Sequence, residues 1–201
     1  KFQDKPGPKA DKISNEFCLL GSMILWLFWP SFTSAVVAPE LGYLTVLNTV
    51  LALCGSTLAT YVFSKLIRGK IEVEDIANAA LAGGVCIGST CSTANPGFAM
   101  VIGICAGTLS TLGFAIIAPK VCKLIRGTDT CGVHNLHGMP GLLGGLFGIA
   151  ITGNVGVQVG AVVATVVVGL VLGRVCGAIL GLFGTKEVPY SDEGDFLLEE
   201  E

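Results

Sequence analysis

An all-α membrane protein with six spans is the fold class this sequence predicts, and three observations carry that prediction. Apolar residues fill 52% of the 201 positions, charged residues only 13%, and the mean hydropathy is +0.74. The surface of a water-soluble domain of this size needs far more charge. Stretches that supply the ~20 apolar residues of a bilayer span fall at 17–38, 43–67, 75–94, 97–118, 130–152 and 156–183. The third observation is the placement of charge. Lys1, Lys5, Lys9, Lys12, Lys65, Arg68, Lys70, Lys120, Lys123, Arg126 and Lys186 all fall in alternate loops or ends. Arg174 lies in the last turns of the final span, near the same side. The intervening loops 38–43, 95–97 and 152–156 hold no basic residue. Basic loops stay in the cytoplasm, so both termini are expected there. The net charge of −3 says little, because local charge placement matters more; the expected surroundings are the lipid bilayer, and no nucleic acid is expected.

Residues 1–16 read as a cytoplasmic loop, 17–184 as the transmembrane domain and 185–201 as an acidic cytoplasmic tail. The opening KFQDKPGPKADK has no initiator Met and is expected to be an internal loop of a longer chain. The first span carries LWLFWPSFTSA, 25–35, where Pro30 is expected to kink the helix. Phe32 lies ~22 Å along that span, nearer the outside. A phenyl ring over a pore would block hydrated ions and offer a face to an arriving cation. Trp26, Phe28, Trp29 and Phe32 equally suit simple packing or lipid contact. The third span, IANAALAGGVCIGSTCSTAN, is rich in small residues and suits a helix shielded from lipid.

Glycine spacing points to close helix packing at Gly84/Gly88, Gly103/Gly107, Gly141/Gly145 and Gly144/Gly148. Gly169, Gly173, Gly177 and Gly181 form a ladder on the last span, which at ~42 Å is expected to tilt. The eight cysteines show no disulfide spacing and read as small hydrophobes. In the tail, Glu193 with Leu197 and Leu198 fits an acidic-dileucine sorting signal or a plain solvated end.

The chain's two histidines, His134 and His137, both lie in DTCGVHNLHGMPG, 129–141. Cys131, His134 and His137 are spaced to offer a thiolate and two imidazoles to zinc, but no fourth ligand follows and flexible glycines flank them. No metal or other cofactor is expected. No nucleophile motif lies within reach, so no enzyme is expected either. Asp129 stands where the fifth span leaves the cytoplasm, able to cap free N–H groups at the positive end of the helix dipole. His137 lies ~12 Å deeper, close to the midplane. An imidazole at that depth faces a path or a partner, or is satisfied by a backbone carbonyl inside the bundle. Pro140 and its neighbouring glycines ease the helix there, which is tolerated beside a protein-walled path. His134, nearly a turn earlier and off that face, reads as structural.

DTCGVHNLHGMPGLLGGL closely resembles the signature of the Rh glycoprotein branch of the ammonium transporter/Rh family. LWLFWPSFTSA, NAALAGGVCIG (78–88) and STLGF (110–114) resemble further motifs of that branch in the same order, over residues 17–184. The resemblance implies an ammonium-transporter-like bundle, here its second inverted half plus the long tilted C-terminal helix. It implies a homotrimer, or an Rh-type heterotrimer, conducting ammonium/ammonia, with CO2 as a further candidate. His137 matches the second-half pore histidine, Phe32 the second-half gate phenylalanine, and Asp129 the aspartate eight residues before the histidine. The first-half counterparts are expected upstream of Lys1, and Thr33 stands where many members have Asn. A plasma-membrane location follows from the same resemblance, and a sorting or cytoskeletal adaptor at the tail is the further expected partner. The competing expectation is a non-transporting structural component of a membrane complex.

Overall fold

The computed structural model describes residues 12–125, 129 and 131–184. The helices run in the order α1 (Lys12–Ala35), α2 (Gly42–Arg68), α3 (Val73–Ala79), α4 (Ala82–Ile87), α5 (Pro96–Leu112), α6 (Ala118–Ile125), α7 (Met139–Thr152) and α8 (Val155–Gly181). Two wide π turns, Gly113–Ile117 and His134–Gly138, join α5 to α6 and open α7. Among the described residues, Lys12–Ala35, Pro39–Arg68, Pro96–Ile125 and Val155–Gly181 are long and apolar enough to cross a membrane. The tail pattern at Glu193, Leu197 and Leu198 lies outside the described residues.

α2 is the spine of the bundle, and glycines let its neighbours touch it. A Cβ at Gly103 would overlap the backbone of Ala52, and one at Gly107 that of Ser56, so α2 and α5 advance together in one direction. Gly83 of α4 reaches the same Ala52 carbonyl, leaving Ala52 fully buried between two helices. α1 runs the opposite way: Trp26 Nε1 donates to Thr57 Oγ1 at 3.1 Å, and Thr33 Oγ1 lies 3.0 Å from Thr49 Oγ1. Thr33 therefore points into the α1–α2 seam. Pro30 sits inside α1 without ending it.

The third span departs from expectation. Residues 73–94 do not form one helix; α3 and α4 are single short helices, followed by turns through Ala94. The segment nevertheless tracks α2 antiparallel for most of its length, from Asp75 beside Ser64 to Ala94 beside Asn48. Carbonyls released by the break are taken up by side chains of the longer helices. Ser22 Oγ donates to Ala77 O, Ser56 Oγ to Ala80 O, and Asn48 Nδ2 to both Cys91 O and Ala94 O. Broken backbone within a membrane bundle needs that kind of capture, because lipid offers no donor.

The α2–α3 corner is latched by charge. Asp75 is fully buried and accepts from Ser64 Oγ at 2.7 Å, Arg68 Nε at 2.9 Å and Arg68 Nη2 at 3.1 Å. Ser64 Oγ in turn accepts from the Glu72 backbone N–H. Arg68→Ala strands the carboxylate with one donor; because the guanidinium is itself partly solvated, the cost is about 1–3 kcal/mol. A thermal midpoint several degrees lower in detergent is expected; a midpoint equal to the parent's would refute the latch.

The final helix is the least covered of the helices α1–α8. α8 packs on α7, yet none of its residues is buried, and a Cβ at Gly169, Gly173, Gly177 or Gly181 would meet nothing within 4 Å. Among the described residues, nothing packs against the ladder. The interior glycines behave differently: Gly84 meets Trp29, and Gly144 meets the Cys86 backbone.

Candidate functional site

The site begins at Asp129. Its Oδ1 accepts from the Val133 N–H and its Oδ2 from the His134 N–H, both at 2.9 Å. One carboxylate thus takes up two donors that the opening of a helix leaves without carbonyl partners. Gly132 makes the approach possible: its φ of +66° suits glycine, and the Phe114 ring occupies the space a side chain would need.

Prolines explain the two wide turns. Pro140 has no N–H to continue the ladder, and its ring crowds the carbonyl four residues back. The Met139 N–H reaches back five residues to His134 O instead, and α7 resumes. The same occurs before Pro119, where the Ala118 N–H bonds Gly113 O. A single π turn of this kind is a common feature of functional sites. Pro140 itself is buried at the start of α7.

His137 projects from that turn onto an open face and stacks on Trp29 of α1, with centroids 6.4 Å apart and planes 19° from parallel. Trp29 in turn meets Phe32 at 5.2 Å, tilted by 54°. Trp29 is only 7% exposed, whereas Phe32 is 55% exposed. Gly84 makes room for the indole, since a Cβ there would come 2.7 Å from Nε1. His137, Trp29 and Phe32 therefore form one row running from the α7 turn along α1. Trp29 is the member that sequence reasoning passed over as a packing aromatic. Its position three residues before Phe32, on the same helix face, was the available signal.

Both histidines border an open groove of about 700 Å³ between α7 and α8, with Gly141, Gly145, Gln158 and Val162 along its walls. His134 therefore shares a cavity with His137 rather than lying off that face, as residues three apart on a helical turn are neighbours. Among the described residues, no three His, Cys, Asp or Glu side chains gather closely enough to hold a metal, Cys131, His134 and His137 included.

Residues 3–193 match the model of the Ammonium Transporter Family. The chain belongs to that family. Within it, Ammonium transporter Rh type B of Homo sapiens is 44% identical over 144 residues, covering 70% of this chain and 31% of the relative. Ammonium transporter Rh type A of Canis lupus familiaris is 45% identical over 141 residues, 68% of this chain and 34% of the relative. The solved structure of Nitrosomonas europaea Rh50, described with the conduction mechanism of the Rhesus protein family of channels, matches with a TM-score of 0.91. It is 47% identical, over 96% of this chain and 52% of that one. A sensor Amt protein shares the fold, with a TM-score of 0.77 at 21% identity. These likenesses place the chain on the Rh branch of the ammonium transporter family. The chain spans about a third of the length of the curated relatives it matches.

Proposed function

We propose that this chain forms half of a narrow membrane pore that conducts ammonia as neutral NH3, recruiting ammonium at its outer mouth, where its proton is released to the outer water. The observation that carries the proposal is the row His137–Trp29–Phe32, in which a buried indole links two exposed rings at centroid separations of 6.4 and 5.2 Å. An ammonium ion entering so apolar a path loses hydration that aromatic rings do not replace, whereas neutral NH3 escapes that cost. Imidazole can donate to or accept from NH3 according to its tautomer. In this scheme His137 lines the middle of the path and Phe32 closes its outer end. Asp129 holds the helix start, while His134 and Pro140 support the turn. The same neutral path suits CO2, and no catalytic chemistry is assigned to it.

The open face is where the rest of the pore belongs. The matching Rh50 chain is about twice as long, this chain covering 52% of it. A second histidine, aspartate and gate phenylalanine from the preceding half would complete the walls. We further propose a homotrimer or Rh-type heterotrimer in the plasma membrane, with both ends of this segment cytoplasmic. Glu193, Leu197 and Leu198 are then the candidate contact for a sorting or cytoskeletal adaptor.

Ammonia and methylammonium flux into proteoliposomes of the full-length protein tests the proposal. His137→Ala is expected to lower ammonia flux about tenfold, the worth of one hydrogen bond in a dry site. Phe32→Ala is expected to weaken the discrimination between ammonia and methylammonium. Unchanged flux and discrimination in both variants would remove these residues from the site. Flux no greater than that of empty vesicles would point to a structural component of a membrane complex.

A further inference from the structure

We propose that the π turn Gly113–Ile117 is a clamp that positions the His137 imidazole, with Gly113 and Phe114 as its positioning residues. The functional consequence rests on the reading of His137 as a pore residue; the clamp itself is a matter of geometry. The turn touches the histidine segment at three successive places. The Phe114 ring covers Gly132, just before the segment. The bare Cα of Gly113 seats Asn135, within it: a Cβ there would stand 2.9 Å from Asn135 Oδ1 and 3.3 Å from Asn135 Cβ. The same Cβ would collide with Met139 Cε, just after the segment. His137 lies between the second and third of these contacts.

Among the described residues, the ring contact of His137 is the stack on Trp29. The aim of His137 is set by the backbone of a turn whose buried anchors are Asn135 and Leu136. Asn135 is 1% exposed, and its Oδ1 has no hydrogen-bond partner among the described residues. Shape holds that residue in place, and Gly113 supplies the shape. Displacing Asn135 by a few tenths of an ångström turns the imidazole two residues on and disturbs the Trp29 stack. Both turns exist because a proline follows each, so two local ladder defects nest in one another.

The test uses the full-length protein with Gly113→Ala, Phe114→Leu and the double variant Gly113→Ala with Asn135→Ala. The readouts are the His137–Trp29 ring geometry by cryo-electron microscopy and the ratio of ammonia to methylammonium flux. Each single variant is expected to shift the rings and change the ratio about threefold or more, and the double variant to recover part of the change. Loss of fold strength alone would lower both fluxes together and leave their ratio intact. An unaltered ring geometry in both Gly113→Ala and Phe114→Leu overturns the clamp. Displaced rings, together with normal flux in His137→Ala, uphold the clamp and sink the pore reading instead.

Discussion

Asp129→Ala is expected to lower stability by about 2 kcal/mol or more and to remove most ammonia flux. Helix capping by a short polar side chain is worth about 0.5–2 kcal/mol, and hydrogen bonds to a charged group sit at the upper end. Asp129 makes two such bonds, to the Val133 and His134 N–H groups. The flux effect follows from position: the capped turn leads directly into the π turn that carries His137. Asp129→Asn separates charge from hydrogen bonding. Asparagine retains one acceptor oxygen, so it can keep one of the two bonds and is expected to fall between parent and alanine variant. Thermal midpoints in detergent, paired with stopped-flow flux on the full-length protein, measure both quantities. A parent-like midpoint and flux in Asp129→Ala would show that the helix start needs no carboxylate.

Gly103→Val is the second large effect, and it acts on folding. A Cβ at Gly103 would overlap the Ala52 backbone, and backbone cannot swing aside as the end of a side chain can. The α2–α5 seam would have to open along several residues, because Gly55 meets the Met100–Ile104 backbone and Gly107 the Ser56 backbone in the same seam. Overpacking a tight core costs about 1–3 kcal/mol, and more where the neighbours cannot move. Little monodisperse protein is therefore expected in detergent, and whatever is recovered should unfold well below the parent. Parent-like yield and midpoint would mean that the seam tolerates a wider separation than its geometry allows.

The glycines show how far sequence spacing can be trusted. Gly103 and Gly107 repeat at the same interval as Gly169 and Gly173, and nothing in the letters distinguishes the two pairs. In the fold, one pair is pressed against α2 and the other faces open space. Four-residue spacing states only that a small-residue face exists; the presence of a neighbour is a fact about the other helices. Trp29 carries the same lesson for the site. Its letters fit a lipid-facing aromatic as well as a wall residue, and only the approach of the α7 turn makes it the partner of His137.

The membrane class and the place of Asp129 at the helix start that leads to His137 were legible in the chain alone. Each depends on composition or on distance along one segment, and bilayer thickness and helical rise convert those directly into depth. The break of residues 73–94 into α3 and α4 was decided by tertiary structure. Small residues permitted it, but hydroxyl and amide donors on α1 and α2 had to arrive before the freed carbonyls could be satisfied. The aim of His137 was decided in the same way. Pro140 dictates that the ladder must be interrupted nearby, while the seat at Gly113 and the face of Trp29 select the direction taken. A backbone polar group or an exposed ring has several local solutions of similar energy, and packing between distant segments chooses among them.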